Sequence, residues 1–204
     1  MICVGFIVEG PSDKIVIDSE RFRDWVQNHC SLRIADPIID AGGNGNMCSR
    51  KISTFVEKLR IAANPDKIIV LADLDPDRCA PCITERKTII GSAGIDLVVI
   101  ARKAMESWFL ADTEAMRKWT GDNEFYEPKP EGMTNMPWDR LKQLTDKSGR
   151  GPGAGKKVFA KRMINQFNFD IQKAARHPAC LSARYFVDRI SALGNRDDGP
   201  QKPA

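Results

Sequence analysis

The sequence contains no apolar stretch approaching the roughly 18 residues that a membrane-spanning helix requires. Its opening, MICVGFIVEG, reaches Glu9 before a signal-peptide core could form. A cytoplasmic protein without a membrane span is therefore expected. No internal repeat is evident. The six cysteines, at 3, 30, 48, 79, 82 and 180, are scattered through a chain far longer than a disulfide-stapled miniprotein, so they read as reduced thiols. An ATP site of the Walker A kind is also missing. The nearest segment, RGPGAGKK at 150–157, has Arg150 where the motif needs its first Gly and Lys157 where it needs Ser or Thr.

What is present fits one compact domain with a core of its own. The 204 residues are 42% hydrophobic and 28% charged, as in ordinary globular proteins. The net charge of +4 hides an asymmetry: residues 1–128 carry 16 Lys and Arg against 20 Asp and Glu, whereas residues 129–196 carry 14 against 5. A balance of −4 is followed by one of +9. Basic surface beside clustered acids suits a polyanionic substrate whose reacting phosphate is handled by metal; a merely solvated face is the plain alternative.

Residues 2–8 (ICVGFIV) form a β-branched apolar run that suits a strand buried on both faces. Gly10 and Pro11 break it, Ser12 can cap a helix, and a helix is expected over 13–29. A second strand is expected over 32–39, a loop at AGGNGN (41–46) and a helix carrying Ile52, Phe55, Val56 and Leu59. KIIVLA (67–72) is the third strand, 83–90 a helix and IDLVVI (95–100) the fourth strand. Strands separated by helices predict an α/β fold with a parallel four-stranded sheet flanked by helices. Beyond residue 101 only helices are expected, over 113–119, 138–146, 156–167 and 180–193. This gives a core over 1–112, a helical basic appendage over 113–194 packed on it, and a disordered tail over 195–204.

Ligand sites of parallel sheets form beyond the carboxyl ends of the strands. Acids fall there three times: Glu9 after the first strand, Asp73, Asp75 and Asp77 after the third, and Glu106 after the fourth. Asp13 lies one turn beyond Glu9, where it could equally complement a helix N-terminus. In an extended segment residues i and i+2 point the same way, so Asp73 and Asp75 of ADLD can share one hard divalent ion.

FIVEGPSD (6–13) and VLADLDPD (70–77) together resemble the TOPRIM domain of topoisomerases, primases and related nucleases, in both order and strand placement. The resemblance covers residues 2 to about 110. It implies a TOPRIM-like Rossmannoid core with Glu9, Asp73 and Asp75 as the catalytic acids, in which Glu9 acts as general acid or base and Glu9, Asp73, Asp75 and Asp77 form the site for Mg²⁺ or Mn²⁺. Asp13 and Glu106 look like the added acids of overcoming-lysogenization-defect nucleases, which can accommodate a second ion. ARKAMESWFLAD (101–112) is similar to small stand-alone bacterial TOPRIM proteins linked with an ATPase partner in phage defence. The chain departs from topoisomerases in having no evident tyrosine-bearing cleavage domain: its two tyrosines, Tyr126 and Tyr185, lie outside recognisable motifs.

Two further signals stand beside plainer readings. Cys79, Cys82, His177 and Cys180 could enclose a structural Zn²⁺, or serve only as packing groups. Lys156, Lys157 and Lys161 could touch nucleic-acid phosphate from one helix, or simply be solvated. Trp108, Trp119 and Trp138 read as core.

The expected function is metal-dependent endonucleolytic hydrolysis of DNA, ahead of RNA, with water as nucleophile. The expected partners are nucleic acid, an ATPase protein and further copies of this chain. The alternatives are a non-catalytic subunit binding metal or nucleotide in a larger complex, and a hydrolase of small phosphates.

Overall fold

The computed structural model describes residues 1–74, 82–146 and 148–194, and of Ser49 only the backbone. The chain opens with β1 (Ile2–Val8), and Gly10 and Pro11 turn it into α1 (Pro11–Ile17). Gly10 is the N-cap, in place of the expected Ser12, and its N–H is taken by the Asp13 carboxylate at 2.9 Å. The single helix expected over 13–29 is two. Ser19 stops the first by donating its hydroxyl to the Val16 carbonyl, and starts α2 (Glu20–Cys30) by accepting from the Phe22 N–H.

The expected second strand is likewise split, into β2 (Leu32–Ile34) and β3 (Ile39–Asp40). Both pair with β1, and Pro37 between them has no N–H for a ladder. A short 3₁₀ turn at Asn44–Asn46 leads to α3 (Ser49–Ala63), then β4 (Lys67–Asp73), α4 (Ile83–Ile90) and β5 (Leu97–Ala101). The described pairings are all parallel, in the order β2-β1-β4-β5. The α/β class and the four-position sheet flanked by helices are those expected.

Alternation along the strands divides the core. Val4, Phe6 and Val8 of β1, Ile69 and Leu71 of β4 and Val99 of β5 face one layer, while Ile7, Ile68, Val70, Ala72 and Ile100 face the other. The second layer is closed by α3 and α4, which lie close on the sheet: a Cβ on Gly5 would sit 2.7 Å from Leu59 Cδ2. The first layer is closed by α1, α2 and the C-terminal helices. These are α5 (Glu106–Ala111), α6 (Thr113–Thr120), α7 (Pro137–Gln143), α8 (Lys156–Phe167), α9 (Ile171–Arg176) and α10 (Leu181–Gly194). Phe186 of α10 packs against Phe6, Phe22 and Trp108, so helices beyond residue 112 share one core with the sheet. Trp108 and Trp119 are buried, as expected, and Trp138 packs partly buried against the same core. Among the described residues no helix is long and apolar enough to cross a membrane.

Candidate active site

Of the acids expected at the strand ends, Glu9, Asp73 and Glu106 lie where β1, β4 and β5 finish. The Glu9 N–H still belongs to the sheet, donating to the Leu71 carbonyl at 3.1 Å, and the Glu9 side chain then folds over the end of β4 to accept the Asp73 N–H at 3.0 Å. A carboxylate oxygen thus substitutes for the next rung of the ladder. Asp73 points on from β4 and accepts the Met105 N–H at 2.9 Å, which fixes the loop after β5 against the end of its neighbour. Glu106 opens α5 directly after that loop, and Asp13 lies on the first turn of α1. All four carboxylic side chains are buried.

Their electrostatics show that they form one cluster. Burial pushes the Asp13 carboxyl up to about 8, the charges of Glu106 and Glu9 add to that, and the Gly10 N–H and Lys156 oppose it. Asp73 is held well above the usual carboxylate range, again first by burial and then by Asp13, Glu106 and Glu9, with Lys156 opposing.

Two cations enter the cluster. Lys156, the first residue of α8, reaches Glu106 Oε2 at 2.9 Å. Arg86 of α4 donates from Nη2 to Glu9 Oε2 at 3.2 Å, from Nε to the Asp73 carbonyl at 3.1 Å and from Nη1 to the Met47 carbonyl at 3.4 Å. Arg86 was not anticipated as a site residue. The signal for it was nevertheless present: positions 83, 86 and 90 share one helical face, and an Arg between two isoleucines on a buried face requires a polar destination.

The remaining expected site residues divide clearly. Asp75, Asp77 and Cys79 lie outside the described residues. Lys157 and Lys161 are exposed on α8 and, unlike Lys156, take no part in the acid cluster's ion pairs. Cys82 is exposed at the N-cap of α4. The Cys180 thiol is buried, donates to Glu131 and is pushed above its ordinary range by burial and by that carboxylate. The His177 Nδ1 accepts the Ala179 N–H at 3.1 Å while the ring stacks on Tyr126. Among the described residues no three His, Cys, Asp or Glu side chains close on a common point as a metal-holding group, and this applies to Cys82, His177 and Cys180 as well as to the four acids. In the acid cluster Asp13, Glu9 and Asp73 accept from backbone N–H groups, and Glu9 and Glu106 pair with Arg86 and Lys156.

The fold and site define an α/β protein with a parallel sheet and a buried acidic cluster at its carboxyl edge. No family model, curated protein or solved structure matches the chain.

Proposed function

We propose that the chain is a TOPRIM-class phosphodiesterase that hydrolyses nucleic acid with the help of Mg²⁺ or Mn²⁺. The observation that carries this reading is the burial of Glu9, Asp13, Asp73 and Glu106 together at one edge of the sheet; burial first, and then the neighbouring acids, raise the carboxyls of Asp13 and Asp73. Such a site is relieved by a divalent cation, and its all-oxygen donor set is that of a hard ion. Mg²⁺ keeps several waters and needs only one or two protein carboxylates, so the chemistry fits without three direct ligands. When bound, the ion supplies polarisation of the phosphate and a more acidic water.

The chain's own residues divide the remaining work. Arg86 donates to Glu9 at the mouth of the sheet and so orients the carboxylate that would serve as general base. Asp73 and Asp13 contribute the negative charge that draws the cation, and Lys156 places a positive charge where a phosphate would approach. The balance of +9 over residues 129–196 supplies affinity for a polyanion. An ATPase partner belongs to the same proposal and rests on the resemblance of residues 101–112 alone.

The test is conversion of supercoiled plasmid, and of a long RNA, with Mg²⁺, Mn²⁺ or chelator. Metal-dependent cleavage that disappears in Asp73→Asn and Glu9→Gln is expected; cleavage that persists in chelator, or at the wild-type rate in Asp73→Asn, overturns the reading. A second reading, a non-catalytic subunit that binds metal or nucleotide, is favoured by one observation: Arg86 and Lys156 already offset part of the acidic charge. Mn²⁺ binding without cleavage of any substrate is its signature.

A further inference from the structure

Among the described strands β5 is an edge of the sheet, and between α4 and α10, beside its carboxyl end, lies an open groove of about 320 Å³. Its walls are apolar. Ile83 comes from α4, Ile100 from β5, and Leu181 and Tyr185 from α10, the last two 52% and 39% exposed. Large apolar groups left that open on adjacent turns of one helix are unusual unless something covers them.

The groove's charged members are cations. Among the described residues Lys87 and Arg102 line it and no carboxylate does. Among the described residues neither is in an ion pair. Lys87 Nζ lies 4.9 Å from the centre of the Tyr185 ring and 3.4 Å from its hydroxyl, and the Arg189 guanidinium lies 6.0 Å from the same ring. The Arg102 backbone is anchored, its N–H donating to Ser182 Oγ at 3.0 Å, while its side chain is exposed. The groove also adjoins the acid cluster: Ala101, the residue before Arg102, pairs with Asp73 across the β4–β5 ladder.

An apolar wall with a cationic rim suits a group that is flat and apolar at one end and anionic at the other. We propose that this groove holds one unpaired nucleotide of the strand being cut, with its base against Tyr185, Leu181 and Ile83 and its phosphate at Lys87 and Arg102. A paired base is stacked and turned inward, so the groove selects single-stranded substrate or a frayed end. The inference rests on reading the acid cluster as a nucleic-acid phosphodiesterase centre.

The experiment measures binding of a fluorescein-labelled 12-nucleotide oligo-dT by anisotropy, with Ca²⁺ in place of Mg²⁺ so that binding is read without turnover. Tyr185→Ala is expected to weaken binding roughly 5- to 150-fold, the range for loss of one base–aromatic contact, while Tyr185→Phe retains it. Lys87→Glu with Arg102→Glu is expected to flatten the salt dependence by about one to one and a half units of slope. On an abasic strand, wild type and Tyr185→Ala are expected to bind alike. Wild-type affinity for oligo-dT in both the Tyr185→Ala and the double variant overturns the groove. If plasmid cleavage is nonetheless metal-dependent and lost in Asp73→Asn, only the groove falls; if wild type neither binds nor cuts nucleic acid, the functional reading falls with it.

Discussion

Arg86 Nη2 and Glu9 Oε2 lie 3.2 Å apart, on side chains that are 3% and 9% exposed. An ion pair this deep depends on both partners, because either charge left alone in the interior is costly. Arg86 also donates to the carbonyls of Asp73 and Met47, so its loss strips donors from three places at once. Arg86→Met should lower stability by about 3–5 kcal/mol in urea titrations without divalent ions. Arg86→Met with Glu9→Gln should recover part of that loss, because no bare carboxylate then remains; failure of the double variant to recover any would mean that the backbone contacts, and not the ion pair, set the cost.

The raised carboxyls give stability a definite pH dependence. The Asp13 carboxyl has an ordinary value of 3.8 and is pushed up to about 8 in the folded protein, and Asp73 is shifted the same way. The native state therefore binds more protons than the unfolded chain across that window. Metal-free stability should fall as pH rises from about 4 to about 8 and level off above that. Asp13→Asn should flatten the slope and make the chelated protein more stable than wild type at pH 8. Mn²⁺ binding near pH 7 should release protons, measurable by titration calorimetry in buffers of different ionisation enthalpy. A metal-free stability that rises with pH over this range would show that the cluster is not protonated as its surroundings dictate.

Much of this site could be read from residue order, because an apolar run that ends in an acid marks both a strand and its carboxyl edge. Glu9 and Asp73 lie at strand ends for that reason, Asp13 lies on the first turn of α1, and Glu106 is the first residue of α5 after the fourth strand. The break at Ser19 was obscured because apolar residues continue on both sides of it, and only its cap hydrogen bonds separate two helices from one. Lys156 is one of three lysines on a helix, and nothing local in the sequence distinguishes it from Lys157. Its meeting with Glu106 is a product of tertiary packing, where α8 is laid against α1. The same holds for Glu131, fifty residues before the helix it serves.

Glu131 accepts from the N–H groups of Leu181 and Ser182, from the Ser182 hydroxyl and from the Cys180 thiol. It thus caps α10 from a distant loop, satisfying donors that a helix N-terminus leaves open. Glu131→Ala should cost at least about 3 kcal/mol, since hydrogen bonds to a charged group are worth about 1.5–3 kcal/mol each and several are lost. It should also open Cys180 to thiol reagents that do not reach it in the native wild type. Unchanged stability together with an unreactive Cys180 would place the anchoring of α10 in its apolar face alone.

Lys156 provides the sharpest separation between metal binding and substrate binding. Its ammonium lies 2.9 Å from Glu106 and is the cation that opposes the raised values of both Asp13 and Asp73. It therefore occupies the field that a divalent ion would enter, and the two compete. Lys156→Gln should bind Mn²⁺ more tightly than wild type at pH 8, by a few-fold in competition with a chelator of known affinity. Lys157→Gln and Lys161→Gln sit on the exposed part of the same helix. They should leave Mn²⁺ affinity unchanged and act only on oligonucleotide binding, each reducing the salt slope by about 0.7 to 0.9 units. Equal Mn²⁺ affinity in all three variants would mean that Lys156 is a spectator, and that the ion is taken up by carboxylates its charge does not reach.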